Sequence, residues 1–134
     1  MLPLALAAVF AIVPWHGAGV SQAEPVCAGF PQIGDPEICR SLRMQLLPTT
    51  HPKAGAFGLR AQAPAGMMVV FPDRGSLLSQ GDVITTIDNR PVASIADVAR
   101  AIGKARAEGR KTLSAMIYDS RHGVIRPFGV RIED

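Results

Sequence analysis

The chain has 134 residues, a formal net charge of +3, 48% hydrophobic and 19% charged residues, and two cysteines. That apolar content excludes intrinsic disorder, and the 13 glycines and 11 prolines follow no collagen period, so one modest folded domain is expected. The 14 basic residues are offset by 11 acidic ones without forming a stripe, which argues against a nucleic-acid partner, and two cysteines are too few for a four-ligand zinc site.

In chain order, residues 1–23 come first and carry no charged side chain. An apolar run from Leu2 to Val13, then Pro14, then small residues ending in Ser21-Gln22-Ala23, has the form of a secretory signal peptide cleaved after Ala23. The competing reading is an uncleaved signal kept as a membrane anchor, for which a stretch interrupted by Pro14 and His16 is barely long enough. Export to an oxidising compartment makes a disulfide between Cys27 and Cys39 the expected state, with two buried thiols as the alternative. The bridge would close a short loop containing Pro31, Gly34 and Pro36, worth on the order of 3 kcal/mol by chain entropy.

Residues 24–54 read as this disulfide-looped extension, punctuated by Pro and Gly, with one helical turn around Glu37 to Met44. Regular structure is expected to start near Gly55. Residues 57–62 alternate weakly like a strand, 67–71 form a continuous apolar run suited to a buried strand, and 72–81 hold turn residues. Residues 83–87 make the next strand, followed by the turn Asp88-Asn89-Arg90-Pro91 and a brief second arm at Val92. Ser94 is the expected N-cap of a helix with Asp97 in its first turn. Ile95, Val98, Ala99, Ala101, Ile102 and Ala105 give that helix one apolar face to about Ala107, and Gly109 ends it. A last hairpin pairs residues 113–118 with 124–132.

Catalytic patterns are missing from this sequence. It has no GxSxG elbow, no Gly-rich phosphate loop and no HExxH helix. His51 and His122 sit in expected loops, and Asp82 and Asp88 are better explained as turn caps than as paired carboxylates. No catalytic residue, metal ligand or cofactor is assigned.

The run Gly81-Asp82-Val83-Ile84-Thr85-Thr86-Ile87-Asp88-Asn89-Arg90-Pro91-Val92 resembles the GDxIxxIxGxxV core of a PDZ domain. It is similar to the type found in bacterial periplasmic high-temperature-requirement (Deg-type) serine proteases, where a Ser-capped helix and a final hairpin follow. The resemblance implies an α+β fold, a small, partly open antiparallel barrel or sandwich of five to six strands capped by one main helix and one short helical turn, over residues 55–134. It implies a peptide site too. Ala56-Phe57-Gly58-Leu59 stands where the family has its carboxylate-binding loop, so the backbone amides of Phe57, Gly58 and Leu59 would hold a peptide carboxylate. Leu59, Arg60, Ala61 and Gln62 would form the edge strand that pairs with the peptide, and Ile95, Ala99 and Ile102 would form the helical wall of the groove. Phe57, Leu59 and Ile102 would enclose a pocket for the last ligand side chain.

The expected function is an exported adaptor, periplasmic or secreted, that binds polypeptide C-termini or extended hydrophobic segments by strand addition. It has no enzymatic activity, no nucleic-acid partner, and no membrane contact except through an uncleaved signal. Two alternatives stand beside it. One is a regulatory PDZ piece of a periplasmic serine protease, truncated from it or acting with it in trans. The other is a structural or secretion-apparatus module with its groove blocked by the extension at residues 24–53.

Overall fold

The computed structural model describes Cys27, residues 34–73 and residues 75–133. The signal-peptide reading of residues 1–23 and its cleavage point fall outside the described residues.

Helix α1, Pro36–Leu42, forms where the sequence supplies both ends of a short helix. The Asp35 carboxylate accepts the N–H groups of Glu37 and Ile38, each at 3.0 Å, and Pro36 occupies the first turn, where a missing N–H has no consequence. Arg43 ends the helix in a left-handed conformation (φ 62°) and donates its N–H to the Cys39 carbonyl at 2.7 Å. Strand β1, Gln45–Pro48, follows at once. Regular structure thus begins well before Gly55, and Ile38, Leu42, Met44 and Leu46 enter the main core.

Strands β2 (Met67–Phe71) and β3 (Val83–Ile87) fall where the apolar runs place them. The hairpin arm β4, Arg90–Pro91, pairs with Thr86 and Ile87, and Val92 adds one more bond to the Thr85 carbonyl. Helix α2, Ile95–Ala107, starts as expected: the Ser94 hydroxyl accepts the Asp97 N–H at 3.2 Å while the Asp97 carboxylate accepts the Ala93 N–H at 2.9 Å. Those bonds, the Ala93 N–H first and Arg100 next, hold the Asp97 carboxyl below its ordinary value. Strands β5 (Thr112–Asp119) and β6 (Val124–Arg131) form the last hairpin.

Among the described residues the result is α+β: a six-stranded antiparallel sheet in the order β1-β2-β3-β5-β6, with β4 attached to β3, and the helices α1 and α2. Alternation along the strands divides the apolar side chains between two faces. Leu46, Met67, Val69 and Ile84 join Val98, Ile102 and Ala105 of α2 in the main core, while Leu47, Met68, Val70 and Val83 pack with Tyr118, Phe57 and Leu59 on the opposite face. Both faces of β2 are covered, which accounts for its unbroken apolar run. Each fully buried Val, Leu or Ile contributes roughly 2 kcal/mol relative to exposure.

Candidate functional site at the β1 edge

The loop expected to hold a carboxylate is built differently. Gly55–Phe57 is a single 3-10 turn ended by Gly58 with φ 102°, and residues 59–62 are turn and coil, not a strand. The amides of Phe57 and Leu59 donate to the Ala54 carbonyl, each at 3.1 Å, and that of Gly58 donates to Gly55 at 3.2 Å. All three are committed within the turn, so they do not converge on an external anion. Glycine is needed at position 58 for its left-handed backbone, and at position 81 for close packing as well: a Cβ on Gly81 would lie 2.9 Å from the Gly58 carbonyl oxygen.

Phe57 and Leu59 pack on one face of the sheet and Ile102 in the main core on the other, so the three do not enclose one pocket. Arg60, Ala61 and Gln62 are exposed. On α2, Ala99 is exposed, Ile95 packs partly against the core, and Ile102 is only 5% exposed.

Among the described residues the main strand order instead ends at β1 and β6, with the two-residue β4 off this path beside β3. At β1 the register decides what faces outward. Val69 of β2 donates its N–H to the Asp82 carbonyl (2.8 Å) and accepts the Gly81 N–H (2.9 Å), so both its backbone groups face β3. Leu46 is the residue directly opposite on β1 and therefore turns its own N–H and C=O away from β2, to the outer edge. α2 packs against this strand and against α1.

Gly34, just before α1, lies on that edge. A Cβ placed there would run into the Leu46 carbonyl oxygen, closer than any side chain allows, and would sit 3.3 Å from the Leu46 nitrogen. A backbone thus covers the outward groups of Leu46, whose residue as a whole is 1% exposed. Cys27 and Cys39 lie at disulfide-bonding distance, with Cα atoms 5.7 Å apart, and Cys39 is on α1.

The β6 edge is longer and guarded otherwise. Ser114 directs its backbone to Asp88, so Gly129 opposite it faces outward, as do Ile125 and Pro127 at two-residue steps. Pro127 has no N–H to offer, a common device against unwanted pairing. Beside this edge is an open cleft of about 210 Å³ whose wall includes Leu77, Phe128, Arg121 and Arg126. Leu77 is 83% exposed.

The titratable groups have structural partners. Asp119 accepts from His122 Nδ1 (2.9 Å), Arg126 (3.1 Å) and the Arg121 N–H (3.0 Å), and the His122 bond foremost holds its carboxyl below the ordinary value. Arg110 bridges Asp88 at 3.0 Å and Glu108 at 2.8 Å, which raises its already high pKa. His51 accepts the Lys53 N–H at 3.0 Å. The buried Asp82 accepts from Ser79 N–H (2.8 Å) and from both the N–H and the hydroxyl of Ser120 (2.9 Å each), the turn-capping role expected of it. Among the described residues, no group of three or more His, Cys, Asp or Glu could hold a metal, and no helix is long and apolar enough to cross a membrane.

Sequence reasoning missed Leu46 and Gly34. The available signal was the apolar group Met44, Leu46 and Leu47 between a basic residue and Pro48, which has a strand's composition at the minimum strand length. Comparison of the chain with family models, with curated proteins and with solved structures finds no match.

Proposed function

We propose that this chain is an exported PDZ-like interaction module that binds extended hydrophobic polypeptide segments by strand addition at the outer edge of β1. One observation carries the reading: the outward N–H and C=O of Leu46, on a sheet edge beside α2, are covered by a backbone rather than by a side chain. An edge that receives a backbone at this distance has the shape strand addition requires. The Gly81 to Val92 motif and the succession of β3, β4, α2 and the β5-β6 hairpin behind it support the PDZ-like reading. Cys27 and Cys39 at bonding distance support an oxidising compartment.

The structural alternative, a module whose edge stays filled by its own extension, is favoured by the same contact of Gly34 with Leu46. Peptide titration separates the two. Affinity of micromolar order, about 8 kcal/mol, suits a short added strand. Because the amides of Phe57, Gly58 and Leu59 are internally bonded, a fluorescein-labelled peptide ending in Val is expected to bind the chain with Cys27 and Cys39 reduced within about twofold whether its C-terminus is free or amidated, a difference under about 0.5 kcal/mol. A tenfold loss on amidation would restore carboxylate recognition, and no binding of either form would favour the filled edge.

A further inference from the structure

We propose that the backbone at Gly34 is a releasable intramolecular occupant of the β1 edge, clasped there through Cys27 and Cys39, so that the oxidation state of the two cysteines controls access to the edge; this rests on the strand-addition reading above. Three placements carry it. Gly34 covers both outward backbone groups of Leu46, a position that only glycine fits. Asp35, the next residue, caps α1, so Gly34 is held from its C-terminal side by the start of a helix. Cys39 lies on the buried face of that helix, and its partner Cys27 anchors the chain on the N-terminal side of Gly34.

The occupant is therefore fixed on both sides while the bridge is closed. Opening it leaves only the Asp35 cap and the fit at Gly34 itself. Dithiothreitol supplies the chemistry: its two thiols give up two electrons and two protons to the Cys27–Cys39 bond, which becomes two thiols, while dithiothreitol itself closes to a cyclic disulfide. Loss of the loop constraint raises the entropy available to the segment and weakens its hold on the edge.

The test follows amide hydrogen exchange at Leu46 in the oxidised chain, the dithiothreitol-treated chain and the oxidised Gly34→Val variant. Met68 in the centre of the sheet reports whether the fold is intact. Binding of a labelled synthetic peptide with the sequence of residues 28–36 is measured in parallel. Exchange at Leu46 is expected to accelerate by at least about tenfold in the reduced chain and in Gly34→Val, with Met68 unchanged. The peptide is expected to bind both of these but not the oxidised parent. Acceleration at Leu46 without peptide binding would keep the clasp and overturn strand addition. Unchanged exchange at Leu46 in both the reduced chain and Gly34→Val would overturn the clasp.

Discussion

Replacing Asp82 by alanine is expected to lower the unfolding free energy by about 3 kcal/mol, because it strips acceptors from three donors at once. Two of them, the N–H and hydroxyl of Ser120, are buried, and the third is the Ser79 N–H in the turn before β3. The carboxylate thereby ties the entry of β3 to the end of β5, strands already paired through Val83 and Tyr118. Asp82→Asn, which keeps one acceptor oxygen, should lose only part of this. Urea denaturation of the three proteins checks it. A loss below about 1 kcal/mol for the alanine variant would mean that water replaces the carboxylate without penalty, contrary to its burial at 4% exposure.

Ile102→Ala should cost a similar amount, about 3 kcal/mol, whereas Ala99→Glu one turn earlier should stay within about 0.5 kcal/mol. The contrast tests which part of the apolar face of α2 is core. Ile102 is buried among the side chains of the main core, and its truncation leaves a cavity. Ala99 is exposed, so a carboxylate there remains in water. If Ile102→Ala cost under 1 kcal/mol, Ile102 would be a groove wall facing solvent, as the sequence stripe suggested, and its place in the core would be wrong.

The sequence made some of this legible because the responsible forces are local. The apolar runs at Met67–Phe71 and Val83–Ile87, the Ser94 cap with Asp97, and the turn between β5 and β6 each follow from neighbours within a few residues. α1 and β1 were harder to read. The helix has seven residues and is stabilised by its Asp35 cap, its Arg43 terminus and burial of Ile38 and Leu42, none of which gives a long periodic signal. β1 has four residues and gains its stability from pairing with β2 some twenty positions later.

The alternation of Phe57, Leu59 and Ala61 pointed to a strand, yet Ala54 accepts two amides and Gly58 adopts a left-handed backbone, which closes a 3-10 turn first. Placing the edge at β1 depends on a register fixed by Val69 and Asp82, a contact between elements that no local pattern encodes. The glycine that mattered at the edge, Gly34, looked like ordinary loop punctuation.

The most direct measurement is a map of amide chemical shifts in the ¹⁵N-labelled, dithiothreitol-reduced chain as an extended hydrophobic peptide is added. Strand addition at β1 predicts the largest changes at Gln45, Leu46 and Leu47, saturating with the binding curve. Changes confined to Phe57, Gly58 and Leu59, or to the β6 edge around Ile125 and Gly129, would contradict it.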